Sequence, residues 1–280
     1  MPGGWPMKLY ISVDMEGITG LVDSTHVDSS QRSYPRGQVI MTDEANHVIG
    51  TAFDEGCSEV IVNDSHSKMN NLLIERLHPD AQLITGDVKP YSMVQGLDAS
   101  FGGAAFLGYH TMAATRGVLS HSMIFGVTKM YIGDTAIGEL GFNAMVAGYF
   151  GVPVLFVAGD DETAVEAEAL LPGVTTAVVK KAISRTAALC LTPDKTGQLL
   201  REKTKEALDN RSRVKPLASP ERPHLSIEFA NYGQAEWASL MPGTRIEGSS
   251  PVVSFQAKDI LEAYRAMLVM IELATRTNYC

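Results

Sequence analysis

The sequence has 280 residues, which is enough for one large α/β domain or for a core domain with a smaller companion. Its formal net charge of -9 argues against a nucleic-acid binder, because such proteins need clusters of Lys and Arg to displace phosphate counterions. Hydrophobic residues make up 45% and charged residues 20% of the chain, which are ordinary globular frequencies and argue against disorder.

The chain carries no sequence signal for secretion or for a membrane span. The start, MPGGWPMKLY, lacks the apolar region of a signal peptide, and residues 1–6 are predicted to be a disordered leader. No run approaches the roughly 18–20 consecutive apolar residues of a membrane helix. Cys57, Cys190 and Cys280 lie far apart without a CxxC pair, which favours a reducing compartment. We therefore expect a cytoplasmic protein without a membrane partner.

Short apolar runs alternate with helical patterns over the first two thirds of the chain, which is typical of a parallel α/β sheet. Thr42 is the predicted N-cap of the first long helix, and Gly56 is its end. The pair Gly133-Asp134 predicts the turn of a hairpin over 129–140. The other predicted strands are 8–14, 59–64, 81–87, 104–110 and 153–161, and the predicted helices are 42–56, the stretch up to Phe150, and 161–171.

The pattern changes at about residue 191, where a second, smaller unit is predicted. Its elements are a helix at 194–209, a Pro-rich link at 215–223, strands at 225–230 and 252–256, and a short helix at Gln234–Leu240. The last helix, 257–276, carries apolar residues at helical spacing and is predicted to pack back on the main sheet. We expect an α/β protein: a three-layer α/β/α core with a mostly parallel sheet at 7–190, joined by the helix in 257–280, and a smaller α+β unit at 191–256.

Two carboxylates follow the first predicted strand. Asp14 and Glu16 are two residues apart, so their side chains project from the same face if the strand continues to Glu16. Two carboxylates so placed repel each other unless something positive lies between them. A solvated strand end explains the pair equally well, since charged loop residues are usually hydrated.

Two histidines and a third carboxylate lie at comparable positions. His66 follows strand 59–64 and His110 ends strand 104–110, while Glu139 stands where the hairpin meets a helix. Taken singly, each histidine reads as a hydrogen-bonded structural residue, and Glu139 as an acid at a helix N-terminus. Open α/β sheets, however, place their sites outside the carboxyl ends of the strands. These three side chains and the Asp-Glu pair are therefore expected to converge.

Three carboxylates and two imidazoles suit zinc, manganese or cobalt better than calcium or copper. Five ligands exceed what one tetrahedral ion needs, but two ions that share a carboxylate would use them all. Competing motifs are absent from the sequence, which has no P-loop, no GxSxG and no HExxH. His121 is a polar residue among apolar neighbours, and the residues alone indicate a buried structural role for it.

Eight segments carry a resemblance to a known family. In chain order they are SVDMEGITG, VNDSHSKMNN, GYH, SHSMIFG, GELGFNA, PVLFVAGDD, IEFANYGQAEW and FQAKD with the final helix. Together they resemble the D-aminopeptidase family of zinc metallopeptidases, whose members were formerly labelled dipeptide transport proteins. The resemblance runs from Met7 to Cys280 and shows no departure at a functional position.

The resemblance implies two zinc ions per subunit and a catalytic role for His121. The implied metal ligands are Asp14, which bridges both ions, Glu16 and His110 for one ion, and His66 and Glu139 for the other. It also implies a ring-shaped homo-oligomer, a decamer of two stacked pentamers that encloses the active sites.

The expected function is hydrolysis of the first peptide bond of short peptides with an N-terminal D-residue, such as D-Ala-D-Ala, by attack of a metal-activated water. His121 would act as nucleophile, proton donor or oxyanion stabiliser. Selectivity for D-residues rests on the resemblance alone. Two alternatives stay open: a cytosolic peptide-binding or transport-associated protein without catalysis, and a two-metal amidase of another small amide.

Overall fold

A computed structural model of the chain describes residues 7–277, so the predicted leader at 1–6 and Cys280 lie outside the described residues. The strands, in chain order, are β1 (Lys8–Val13), β2 (Glu59–Asp64), β3 (Gln82–Ile84), β4 (Gly103–Leu107), β5 (Val127–Ile132), β6 (Thr135–Ala136), β7 (Val154–Asp160), β8 (Thr175–Ser184), β9 (Ala187–Cys190), β10 (His224–Phe229), β11 (Thr244–Ile246) and β12 (Val252–Gln256). The helices are α1 (Ser24–Val27), α2 (Tyr34–Asp54), α3 (Glu139–Tyr149), α4 (Asp161–Leu170), α5 (Pro193–Asp209), α6 (Tyr232–Ala238) and α7 (Ile260–Ala274).

The larger sheet has seven strands in the order β3-β2-β1-β4-β7-β8-β9. All neighbouring strands are parallel except the terminal pair β8 and β9. The chain builds outward in one direction from β1 through β2 to β3, and in the other through β4 and β7. The order therefore switches between β1 and β4, and open α/β sheets bind ligands outside the strand ends at such a point. This topology confirms the predicted mostly parallel α/β fold.

Alternate residues of β1 face opposite layers, as the two-residue period of a strand requires. Leu9, Ile11 and Val13 pack in a core shared with α2 and α5. Tyr10 belongs to a second core, shared with α3, α7 and the smaller sheet. The larger sheet is thus buried on both faces, which confirms the predicted three layers.

The smaller sheet is antiparallel, in the order β11-β12-β10-β5-β6. Its β5–β6 hairpin, with the predicted turn at Gly133-Asp134, comes from the first half of the chain, and its other strands come from 224–256. Helix α5, by contrast, contributes to the core on the α2 side of the larger sheet. The division of the chain into domains at residue 190 stays a prediction.

The first long helix begins earlier than the sequence pattern predicts. α2 starts at Tyr34, with Pro35 in its first turn, and the fixed φ of proline suits this position. Thr42, the predicted N-cap, lies inside the helix, where its Oγ1 donates to the backbone oxygen of Gln38 at 2.7 Å. The prediction of an N-cap at Thr42 is therefore wrong. No helix within 7–277 is long and apolar enough to cross a membrane.

Candidate metal centre

Five side chains of the predicted site lie together at the carboxyl end of the larger sheet. Asp14, His66 and His110 follow the neighbouring strands β1, β2 and β4, Glu139 is the first residue of α3, and Glu16 lies in the turn after β1. All five are buried, with exposed fractions of 2–6%. The structure thus brings together the side chains that the strand ends predict. Their role as metal ligands stays a prediction.

The chain turns sharply after β1, and backbone contacts hold this turn against the end of β4. The Asp14 amide donates to the Leu107 oxygen at 2.8 Å, and the Gly17 amide donates to the Gly108 oxygen at 2.7 Å. A Cβ at Gly17 would lie 2.1 Å from the Tyr109 oxygen, so a side chain does not fit there. Glycine at 17 therefore lets the two carboxylates approach the strand that carries His110.

A buried lysine that sequence reasoning missed supports the same turn. Lys180, in β8, is 1% exposed. Its Nζ donates to the backbone oxygens of Glu16 at 2.5 Å, Ile18 at 2.9 Å and Leu21 at 2.6 Å. These three bonds use all the donors of an ammonium group. Only the fold brings this lysine to the turn, since 159 or more residues separate it from its partners.

Three histidines at the centre each form a hydrogen bond from one ring nitrogen to a backbone carbonyl oxygen. The pairs are His66 Nε2 with Val27 at 2.7 Å, His110 Nδ1 with Thr111 at 3.0 Å, and His121 Nδ1 with Leu119 at 2.9 Å. A carbonyl oxygen only accepts, so each of these nitrogens carries the hydrogen. The other nitrogen of each ring can then present a lone pair to the site.

The remaining nitrogens of His66 and His110 face carboxylates. His66 Nδ1 lies 3.0 Å from Glu16 Oε2 and 3.3 Å from Asp14 Oδ1. His110 Nε2 lies 3.4 Å from Asp14 Oδ2 and 3.2 Å from Glu139 Oε2. Asp14 therefore turns one oxygen toward each histidine. A lone pair and a carboxylate repel each other, so a positive charge has to lie between them.

A divalent cation fits this arrangement. Asp14 Oδ2 and His110 Nε2 are buried and have no hydrogen-bond partner among the described residues. Three of the four distances between a histidine nitrogen and a carboxylate oxygen are 3.2–3.4 Å, which is longer than the ~2.7–2.9 Å of a charged hydrogen bond. They are close to the roughly 3.3–3.5 Å that separates two ligand atoms of one tetrahedral ion. Among the described residues, two sets of three side chains each have one ligand atom per residue within 4.8 Å of the other two. The first set is Asp14, Glu16 and His110, and the second is His110, His121 and Glu139.

Burial and neighbouring charges shift the ionisation of these groups. Burial, followed by the Glu16 carboxylate, raises the pKa of Asp14 to about 8. Burial alone would raise the pKa of Glu16, but the charge and hydrogen bond of His66, together with the other neighbouring histidines, outweigh burial and hold that pKa well below its usual value. Burial likewise opposes a charged His110, but the charge and hydrogen bond of Glu139 and the charges of Asp14 and Glu16 together outweigh burial and raise the pKa of His110 to about 10. The buried carboxylates therefore need cations, and a metal ion can replace protons on the imidazoles.

His121 lies beside the five converging residues. Its ring stacks on that of His110, with centroids 4.2 Å apart and ring planes at 10°, and its Nε2 lies 3.7 Å from Glu139 Oε1. Burial, followed by the charge of His110, lowers the pKa of His121, so the ring is neutral at pH 7. Its Nε2 lone pair can accept a proton. The residues alone predict a structural role for His121, and only the resemblance indicates a catalytic one.

A cavity of about 820 Å³ opens over the centre, which is large enough for a short peptide. His121 and four of the five converging side chains line it, whereas His110 lies behind them. Helix α7 also contributes to its lining, through Leu268, Val269, Ile271, Glu272 and Leu273. Most of the non-glycine residues with left-handed backbone lie at its lining, as is common at functional sites. The lining residues with positive φ are Ser67, Met69, Ser92 and Met123.

Comparison with known proteins identifies the family. A family model described as D-aminopeptidase matches residues 7–269. A D-aminopeptidase of Bacillus subtilis (strain 168) is 67% identical over 274 residues, which covers 98% of this chain and 100% of the relative. The solved structure of the Zn-dependent D-aminopeptidase DppA from Bacillus subtilis, a self-compartmentalizing protease, matches with a TM-score of 0.97 at 67% identity and covers 98% of this chain and 100% of that one. The chain therefore belongs to the D-aminopeptidase family of peptidases, as its motifs indicate.

Proposed function

We propose that this chain is a zinc-dependent aminopeptidase that hydrolyses short peptides with an N-terminal D-residue, such as D-Ala-D-Ala. One observation carries the proposal: His66 and His110 each fix one ring nitrogen on a backbone carbonyl and turn the other toward buried carboxylates. Imidazole nitrogen and carboxylate oxygen are the ligands of zinc in hydrolytic sites. The relative described as Zn-dependent supports the choice of metal, and the relatives described as D-aminopeptidases support the substrate.

We propose two zinc ions that share Asp14, because its two oxygens face different histidines. Glu16 and His110 would complete one ion, and the ligand atoms of these two residues and Asp14 lie within 4.8 Å of one another. His66, whose Nδ1 lies 3.3 Å from Asp14 Oδ1, and Glu139 would complete the other. His66 Nδ1 also lies 3.0 Å from Glu16 Oε2, and His110 Nε2 lies 3.2 Å from Glu139 Oε2, so the division of the ligands between the ions rests on the family resemblance. Bound at this centre, zinc would supply Lewis acidity that polarises a carbonyl and lowers the pKa of water.

Proton transfer and the positioning of groups during the reaction would fall to His121 and Glu139. His121 is held at Nδ1 by the Leu119 carbonyl, so its Nε2 can take up a proton as water attacks and return it to the leaving amine. Glu139 is fixed in turn, because its Oε1 accepts a hydrogen bond from the Met123 amide at 2.5 Å. Groups held in place in this way need no reorganisation during the reaction.

The function is tested by hydrolysis of matched dipeptides. Zinc-replete protein is expected to release free alanine from D-Ala-D-Ala faster than from L-Ala-L-Ala, and a chelator is expected to abolish this activity. Elemental analysis of the same preparation should find two zinc ions per chain. Tight binding of D-Ala-D-Ala without product, in zinc or manganese, would favour the peptide-binding alternative. Turnover of other small amides but of no peptide would favour the amidase.

We also propose a homo-oligomer, a decamer of two stacked pentameric rings with its active sites inside. The relative described as self-compartmentalizing supports an assembly. Exposed apolar side chains, such as Phe125 and Ile183 at 68% and Leu240 at 65%, offer surface that a neighbouring copy would bury. Light scattering is expected to give a mass near that of ten chains of 30.2 kDa. A monomer would contradict the enclosed chamber and leave the chemistry untouched.

We propose a cytoplasmic location for the protein. Cys57 and Cys190 both carry free thiols. Burial raises the pKa of Cys57 to about 11, which keeps that group in the thiol form. Thiols of this kind persist in the reducing cytosol, which supports the proposal.

A further inference from the structure

Two lysines within residues 7–277 are buried, and their hydrogen bonding differs. Lys180 is 1% exposed and donates to three backbone carbonyls of the turn after β1. Lys89 is 7% exposed and donates to two acceptors, Asn63 Oδ1 at 2.6 Å and the Asp64 backbone oxygen at 2.5 Å. An ammonium group has three donors, so Lys180 is satisfied whereas Lys89 keeps one donor free.

Lys89 also makes no ion pair within 4.0 Å of a described carboxylate. Among the described residues, the lysines that form ion pairs are Lys8, Lys68, Lys203 and Lys205. The Asp64 and Asp87 carboxylates are near enough to attract its charge, but neither pairs with it directly, and that of Asp64 accepts from the amides of Asn71 and Leu72. Burial lowers the pKa of Lys89 to about 8, so the group still carries its charge at pH 7. A buried cation whose hydrogen-bond acceptors are all neutral is stabilised when a ligand supplies an anion in direct contact.

Lys89 lies on the wall of the cavity that the metal centre shares. Asp64, one of its acceptors, is the last residue of β2 and stands two residues before His66. Hydrogen bonds also connect the loop that carries Lys89 to this strand end. The Ser92 amide donates to the Lys89 backbone oxygen at 2.9 Å, and Asn63 Nδ2 donates to the Ser92 backbone oxygen at 3.0 Å. The ammonium group therefore has a fixed position relative to the centre.

We propose that Lys89 binds the C-terminal carboxylate of the peptide substrate, so that the cavity selects short peptides with a free C-terminus. The inference rests on the proposed peptidase function. A short peptide ends in a carboxylate, and the cavity offers the Lys89 ammonium on its wall, apart from the side chains proposed to bind zinc. Because each extended residue spans roughly 3.3–3.6 Å, an anion site at a fixed position limits the number of residues between it and the scissile bond.

The test compares D-Ala-D-Ala with D-alanyl-D-alaninamide, which has the same peptide bond and no carboxylate. On zinc-loaded wild-type protein, KM for the acid is expected to be on the order of 10–100-fold lower than KM for the amide, the usual effect of a hydrogen bond between charged groups. Lys89→Met should raise KM for the acid by that factor and leave the amide unchanged. Lys68→Met, at an exposed lysine on the same cavity, is the matched control and should change neither.

Equal KM values for the acid and the amide on the wild type would overturn the inference, and this comparison needs no variant to fold. An equal loss on both compounds in Lys89→Met would also overturn it and make the lysine a support of its loop. If the zinc-loaded wild type hydrolyses neither compound, the proposed function fails instead. Calorimetry with the same two compounds then decides: tighter binding of the acid supports the role of Lys89, and equal binding refutes it.

Discussion

Alanine in place of Asp14 is expected to release both zinc ions and to lower kcat/KM on the order of 10⁴-fold or more, as the loss of a whole catalytic unit does. The reason is the position of this carboxylate, which turns Oδ1 toward His66 and Oδ2 toward His110. No other described carboxylate lies within 4.0 Å of both of these histidines. Elemental analysis and kinetics on one preparation measure both effects.

The matched control for this variant is Asp28→Ala, which removes an exposed carboxylate from the wall of the same cavity. It should retain its zinc and its rate. The melting temperature of each variant in chelator distinguishes a folding defect from a metal defect. Two zinc ions and a normal rate in Asp14→Ala would refute the shared ligand, and one retained ion would assign Asp14 to a single zinc.

Alanine in place of His121 is expected to keep the zinc and the fold while the rate falls on the order of 10²–10⁴-fold, the usual loss of an acid–base or oxyanion partner. Most of the loss should appear in kcat, because a group that acts as charge develops adds little to substrate binding. The ring lies beside the centre without completing the proposed ligand set, with Nε2 at 3.7 Å from Glu139.

His121→Asn is the informative companion, since an asparagine amide can still donate to the Leu119 carbonyl but cannot carry a proton between reactants. It should be as slow as the alanine variant and more stable. Zinc content, melting temperature and kcat are measured together for both variants. A variant that is destabilised yet turns over normally in its folded fraction would make His121 a structural residue.

The sequence pattern was sufficient for the five strands β1, β2, β3, β4 and β7 of the larger sheet and for the convergence of the site. Apolar runs of strand length alternate with helical spacing, and polar residues follow three of those runs at Asp14, His66 and His110. Parallel strands place their carboxyl ends together, so local information is enough to predict that these side chains meet. Family resemblance supplied the rest of the prediction, including the division of the ligands between two ions.

Long-range contacts limit what the sequence can predict. β8 went unpredicted because Lys180 and Lys181 interrupt its apolar run, and a lysine in a buried strand is unexpected until its acceptors are known. Those acceptors lie at the other end of the chain. The free donor of Lys89 cannot be predicted from the sequence either, because it depends on which acceptors the fold places beside the ammonium group.

The proposed metal ligands and the helix that lines part of the cavity come from different parts of the chain, which matters for how substrate selectivity can change. The proposed ligands come from residues 14–139, on strand ends and the first turn of α3, whereas another part of the cavity wall comes from α7. Substitutions along Leu268–Leu273 can therefore reshape the space for the peptide without altering any atom of the centre. Relatives of this chain can diverge in the peptides they accept, by changes in one helix, while they inherit the same reaction.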